Sequence, residues 1–413
     1  MRSTAFIRLL LLLVALAAAE NWAVIIAGSN SWYNYRHQSN VAHQYQIYLD
    51  YGVKPENIIV FDYDDIPNYE ANPFPGELYN LPGDDAKDYY KNLVIDYRDK
   101  EITKKTLFNV LLGVEDGSGK KVLKSTSEDN VFINYYDHGA PNLICLINER
   151  ISSDELQDVL MLMHKKQMYK KLVFYLEACD SATMMEGFPD DLGIYVVTST
   201  DSAVSGWACF CPPEEVVHGV HIGTCLSEEY GHAFMEDMDL NGGKDTFQQQ
   251  FEYIYQGMKK SHPKQWADFR FLNETVAHFF GVEKKAVLPS AVKRSTSFWD
   301  TRDNALKTYA FLLSDMTLSS KVRRMVLEEY AQEAMVRDKT DAFFHNLVNR
   351  VVGEKRWDEM MKPFEKSVVN KKCYFQAVSD VDRILPKSDY ELKYFQILGN
   401  LCDTLDVDKL PIY

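Results

Sequence analysis

Five short apolar runs, residues 22–27, 57–61, 130–136, 171–176 and 193–198, recur between helix-like segments across the first half of the chain. Each is rich in β-branched and aromatic residues and lacks the strict polar alternation of a strand with one wet face. Strands that alternate with helices are joined by crossovers, so this pattern predicts an α/β fold with a mostly parallel sheet covered by helices. Residues 153–166 fit one such crossover, because Leu156, Val159, Leu160 and Met163 recur at helical spacing with charged residues between them.

Beyond about residue 271 the texture changes. Pro289 and the Ser/Thr-rich stretch 295–297 precede segments of helical periodicity at 305–313, 321–336, 341–352, 373–384 and 390–405, with Gly353 and Pro386 as stops. The expected organisation is therefore an α/β domain over residues 20–271, a linker over 272–297 and an all-helical unit over 298–413. At the front, Arg2 and Arg8 precede an apolar run at 9–19 that ends in small residues at Ala17 and Ala19, the pattern of a secretory leader cut near Ala19. That run is shorter than the roughly 20 residues a bilayer span requires, and no later stretch of that length is free of charge, so no membrane span is expected.

The 413 residues carry a net charge of -15, which argues against nucleic acid as the main partner. The charge is uneven. Residues 284–413 hold 22 basic and 19 acidic groups, net +3, leaving 23 against 41, net -18, for residues 1–283. A tail of this sign is expected to dock on the acidic front and to loosen as carboxylates take up protons toward about pH 4.

In open α/β sheets ligands bind beyond the carboxyl ends of the strands. Two endings carry reactive groups there: VFINYY runs into Asp137-His138-Gly139, and LVFYL runs into Glu177-Ala178-Cys179-Asp180. A Cys and a His on neighbouring strand ends make a nucleophile with its acid/base partner, and a glycine beside them lets a backbone N–H approach an oxyanion. Without that neighbourhood, a Cys after an apolar strand reads as a small buried hydrophobe. Residues 113–121 lack phosphate-loop spacing, and no HExxH or paired-cysteine pattern is present, so neither a metal nor a cofactor is expected.

The segments AGSNSWYNYRHQ, YYDHG and FYLEACDS resemble the legumain (asparaginyl endopeptidase) family, as do QMYKKLVF, NPFPGELYN, WACFCPPE and FMEDMD. The likeness continues through the helical tail, with Cys373 and Cys402 where that family's prodomain carries disulfides. It implies a caspase-like α/β peptidase followed by an inhibitory helical prodomain. Cys179 is then the nucleophile for the bond after Asn, and His138 protonates the leaving amine. Gly139 and Cys179 supply the oxyanion N–H groups, and Asn34 supports the His. Asp137 matches a position that cyclises to an aspartimide in relatives.

The same resemblance places Arg36, His37, Glu177, Ser205 and Glu228 in the pocket for the Asn side chain, with Arg36 on its carbonyl and Glu177 accepting from its amide. Two positions depart from the family pattern: Leu226-Ser227-Glu228-Glu229-Tyr230 stands where relatives have Leu-Gly-Asp-x-Tyr, and Ser205-Gly206 where they have Ser-Ser. The resemblance also implies protein and peptide substrates, cystatin-type inhibitors as partners and an acidic vesicular or secreted location. Cys373 with Cys402, and Cys211 with Cys225, match family disulfides, leaving Cys145 and Cys209 unassigned. Asn273-Glu274-Thr275 is a glycosylation sequon. Self-cleavage is expected after Asn304, with Asp303 as the second choice. Three other readings remain: capture of the thioester by an amine (peptide ligation), a non-enzymatic secreted binding protein, and the related GPI-anchor transamidase. The second is disfavoured by the presence of both Cys179 and His138, and the third by the lack of a C-terminal span.

Overall fold

The computed structural model describes residues 19–201, 205–281, 293–364 and 366–412, so the leader expected at 1–19, all but its last residue, and the part of the linker containing Pro289 lie outside the described residues. Six strands form the central sheet: β1 (Asn21–Ala27), β2 (Ile58–Phe61), β3 (Asn130–Tyr136), β4 (Lys171–Glu177), β5 (Ile194–Thr198) and β6 (Lys264–Ala267). Their order is β6-β5-β4-β3-β1-β2. All pairings are parallel except that of β6 with β5. The expected α/β class is met, and the five apolar runs are the five parallel strands. β6 was not foreseen because Lys-Gln-Trp-Ala, on a half-covered edge, carries little apolar signal.

Helices close both faces. On one side α2 (Lys104–Leu111) and α3 (Ser153–Lys165) pack on Val24, Ile26, Ile133 and Leu172. On the other, α1 (Tyr35–Asp50), α4 (Glu229–Asn241) and α5 (Phe247–Gly257) cover Ala23, Ile25, Phe132 and Val173. The register of α3 is set at its start, where Ser152 and Glu155 form a reciprocal capping box, and its predicted apolar face is the buried one. The packed body runs to Phe280, past the boundary expected at Phe271, because Val276, Phe279 and Phe280 complete the second core. Asn273 of the sequon is exposed on a turn.

The tail consists of α6 (Asn304–Ser314), α7 (Ser320–Val351), α8 (Lys371–Ile384) and α9 (Phe395–Leu405), with shorter turns between. Where two helices were expected at 321–336 and 341–352, α7 is continuous, since no Gly or Pro breaks it and Val336, Arg337 and Thr340 are buried along the join. Phe344, Leu347, Tyr374, Phe395 and Leu398 form a separate core that also takes in Ala140, Leu143 and Cys145 from the body. Each such apolar side chain contributes roughly 1.5–3 kcal/mol on full burial. Cys373 is bridged to Cys402 and Cys211 to Cys225, while Cys145 and Cys209 are free and buried.

A second, small sheet determines what reaches the sheet's carboxyl end. Its strands Ser227–Glu228, Trp207–Cys209 and Phe298–Asp300 are antiparallel in that order, so the third strand comes from the stretch that leads into the tail. No helix among the described residues is long and apolar enough to cross a membrane.

Candidate active site

Strands β1, β3 and β4 run in step, with Ala27 opposite Tyr136 and Tyr136 opposite Glu177. The Asp137 N–H extends the ladder to the Glu177 carbonyl at 3.1 Å, so His138 and Cys179 each lie two residues beyond the last matched pair. Gly139 makes that closeness feasible: a Cβ there would sit 2.3 Å from the Cys179 carbonyl oxygen and 3.2 Å from the Ala178 Cβ. A turn at Trp32–Asn34 and the start of α1 bring Asn34, Arg36 and His37 to the same end of the sheet.

His138 Nε2 lies 2.9 Å from Asn34 Oδ1 and 2.9 Å from Asp389 Oδ2. Both neighbours are acceptors, so Nε2 carries the proton. The other nitrogen, Nδ1, is buried with no hydrogen-bond partner among the described residues. Cys179 Sγ accepts from the Gly206 N–H at 3.0 Å and lies 3.2 Å from Thr301 Oγ1. Burial holds its thiol above the usual range, Asp300 and Asp180 add to this, and the Arg302 guanidinium opposes it. Asp137 packs against Gly28, where a Cβ would come within 2.5 Å of its Oδ2, and burial pushes its carboxyl up to about 7 although His138 pulls it down.

Arg36 and His37 share one acceptor. Glu228 Oε1 receives Arg36 Nε at 2.5 Å and lies 2.7 Å from His37 Nε2, whose ring is completed by Ser29 Oγ on Nδ1 at 2.5 Å. Burial, then Arg36 and His138, hold His37 well below its usual range, which keeps it neutral. Arg36 Nη1 donates to the Tyr33 carbonyl at 2.8 Å and to Asn34 Oδ1 at 3.1 Å, while Nη2 is buried with no partner among the described residues. Glu177, expected to accept from a substrate amide, takes the Tyr230 and Gly231 N–H groups at 2.9 and 2.8 Å, at the start of α4. Burial and the neighbouring Glu228 push its carboxyl well above the ordinary range. Ser205 is half-buried beside Gly206. The expected residues thus converge, Glu228 on Arg36 and His37 and Glu177 on the start of α4.

His37, Asp137 and His138 also present one ligand atom each within 4.8 Å of one another. Both His37 nitrogens are already engaged by Ser29 and Glu228, which leaves His37 no nitrogen to offer an ion in this arrangement.

Three further contributors, Thr301, Arg302 and Asp389, come from outside the motifs, and Gly206 gains a role beside Ser205. Gly206 caps the thiol, Thr301 covers it, Arg302 pairs with Asp180, and Asp389 holds His138. Asn304 is not where the sequence placed it: it is fully buried as the first residue of α6, and its Nδ2 donates to the Tyr33 carbonyl at 2.8 Å. A bond after Asn304 is therefore closed to the site in this arrangement.

Comparison with known proteins bears on this geometry. A family model described as the Peptidase C13 family matches residues 21–283. The vacuolar-processing enzyme delta-isozyme of Arabidopsis thaliana is 39% identical over 276 residues, covering 64% of this chain and 59% of that protein. Legumain of Mus musculus is 31% identical over 397 residues, covering 93% of this chain and 89% of that protein. Among solved structures, caspase-1 of Spodoptera frugiperda superposes at a TM-score of 0.37 with 9% identity over 61% of this chain and 88% of that one.

Proposed function

Because this chain belongs to the peptidase C13 family and is a cysteine endopeptidase, we propose that Cys179 and His138 hydrolyse peptide bonds after asparagine and that the tail keeps the intact chain inactive. The observation that supports the reading is the in-step ending of β3 and β4, which brings the backbones of His138 and Cys179 to neighbouring strand ends, with Gly139 close against the nucleophile's carbonyl. With its Nε2 proton held by Asn34, His138 keeps Nδ1 as the nitrogen free to take the thiol's proton. The thiolate attacks the carbonyl carbon, N–H groups of Gly139 and Cys179 stabilise the oxyanion, and Nδ1–H protonates the departing amine. Water then hydrolyses the thioester. Interception by an amine would give ligation instead, the runner-up reading.

Asparagine offers one acceptor and one donor. The buried, unpaired Arg36 Nη2 suits its carbonyl, and Glu228, held in place by Arg36 Nε and His37, suits its amide. Glu177 positions the start of α4 behind them. The zymogen half of the proposal is supported by Asp389 on His138 and Thr301 on Cys179. The names of its relatives support a vacuole- or lysosome-type compartment, where acid would expose the site and self-cleavage would follow.

Acid-incubated full-length protein, given Ala-Ala-Asn, Ala-Ala-Asp and Ala-Ala-Leu reporters with and without an amine acceptor, tests this. Asn cleavage is expected to dominate. Cys179→Ser and His138→Ala should each lower kcat by roughly 10²–10⁴ while remaining folded. Equal turnover of Leu and Asn reporters, or full activity in either variant, would overturn the reading.

A further inference from the structure

The segment leading into the tail lies across the site in the manner of a peptide. Phe298, Trp299 and Asp300 pair antiparallel with Cys209, Ala208 and Trp207, and the ladder continues as the Thr301 N–H donates to the Gly206 carbonyl at 3.2 Å. Thr301 is thus the residue at the nucleophile, with its Oγ1 3.2 Å from Cys179 Sγ. An extended peptide added to a sheet edge gains its affinity from main-chain bonds and its selectivity from the side chains that fall into fixed positions. Past Thr301 the strand gives way to a short helical turn, Thr301–Asp303, begun by the Asp300 side chain, and what the residue after Thr301 meets there marks the groups within reach of a side chain just beyond the scissile bond. That residue is Arg302. Its Nη2 lies 2.6 Å from Asp180 Oδ2 and 3.3 Å from the Gly139 carbonyl oxygen. Asp180 directly follows the nucleophile and is itself buried, so it cannot swing away as a surface carboxylate does.

We infer that Asp180 and the Gly139 carbonyl form a subsite that selects a cationic residue, arginine or lysine, immediately after the asparagine at which the chain is cut. Both groups of the subsite accept hydrogen bonds and neither donates, so an acidic side chain there meets only repulsion and an apolar one leaves Asp180 without its partner. Arg302 shows the preferred occupant. A guanidinium can keep its bond to the carboxylate while also reaching the carbonyl. In the free enzyme the substrate's own cation takes the place that Arg302 holds in the intact chain. This inference rests on cleavage after asparagine, as proposed above, and adds a second determinant to it.

The test uses full-length protein incubated in acid and then assayed at about pH 7, because burial pushes the Asp180 carboxyl up to about 6 although Arg302 pulls it down. Quenched peptides of sequence Ala-Ala-Asn-Xaa, with Xaa as Arg, Lys, Ala or Glu, are compared by kcat/KM. Arg and Lys are expected to exceed Ala by about tenfold, the scale of one charge-assisted bond, and Glu to fall below Ala. The Arg/Ala ratio should collapse toward one in Asp180→Asn. If Asp180→Asn does not fold, the wild-type series alone decides. Cleavage of all four peptides at similar rates would overturn the subsite while leaving asparagine cleavage intact, and so would an unchanged Arg/Ala ratio in the variant. Absence of cleavage after Asn in every peptide would remove the underlying reading and the subsite with it.

Discussion

At the scale of single residues, the chemistry of the proposed asparagine pocket turns on Glu228, whose Oε1 is shared by Arg36 and His37. Its negative charge favours an amide over a carboxylate in the same place. In Glu228→Gln the ratio of kcat/KM for Asn over Asp substrates should fall by about tenfold or more at about pH 6, because the repulsion of a substrate carboxylate is gone. In the wild type the ratio should fall as pH drops through about 4–5, where the substrate's own carboxyl becomes protonated and resembles a carboxamide. A ratio indifferent to both changes would remove Glu228 from the pocket. Cys179, His138, Asn34, Arg36 and His37 were legible in the sequence because each sits at a strand end or a helix start flanked by a recognisable motif. Thr301, Arg302 and Asp389 were not. They reach the site from more than a hundred residues away, and nothing local to them records where the tail folds back.

Among the elements, the strands were readable because burial on both faces leaves uninterrupted apolar runs, whereas the edge strand β6 and the three-residue strand Phe298–Asp300 carry too few residues to show a period. The seam between body and tail behaves differently from what its bulk charge suggests. Although burial pushes the Asp389 carboxyl up, His138, Arg36 and the Asn34 amide outweigh this and hold it at about 2. Burial pushes Glu391 up to about 8 even beside Arg150. When the tail is off, both groups return toward ordinary carboxyl values near about 4. Docking therefore lowers the Asp389 pKa, and this contribution is full above about pH 4 and is lost as pH falls from there through about 2. Docking raises that of Glu391, and this contribution grows as pH falls from about 8 toward 4. Passing from neutral pH to about 5 should not open the site. Reaction of Cys179 in the intact chain with 2,2′-dipyridyl disulfide, which stays reactive toward thiols in acid because its pyridine is protonated, is expected to begin only below about pH 4, and Asp389→Asn should bring its onset toward neutrality. Full labelling of the wild type at about pH 6, or no change in the variant, would contradict this.

For the molecule as a whole, the same linkage gives a pH profile of stability. Burial raises Asp137 to about 7, Asp237 to about 7 and Glu391 to about 8. These carboxyls hold protons in the fold that the unfolded chain has released, so their contribution is fully present below about pH 4 and is lost as pH rises through 7 and 8. Burial lowers His37, His43 and His232, which costs stability only below about 6.5, where the unfolded chain's imidazoles take up protons. Between about pH 8 and 6.5 only the first set acts, and the thermal midpoint should rise by a few degrees across that interval; a flat or falling midpoint would contradict these assignments. The strand Phe298–Asp300 carries a last consequence. While it is continuous with the body, its local concentration at the small sheet is fixed by the tether and does not change on dilution. The tail has its own core and its own disulfide, so a break in the linker ahead of Phe298 leaves a second folded molecule with a dissociation constant. Occupancy then obeys mass action, and the specific activity of nicked protein should rise as the sample is diluted and fall again on concentration. Intact protein should show no such dependence, and a nicked sample whose specific activity is constant across dilutions would mean that the cut alone does not make the tail exchangeable.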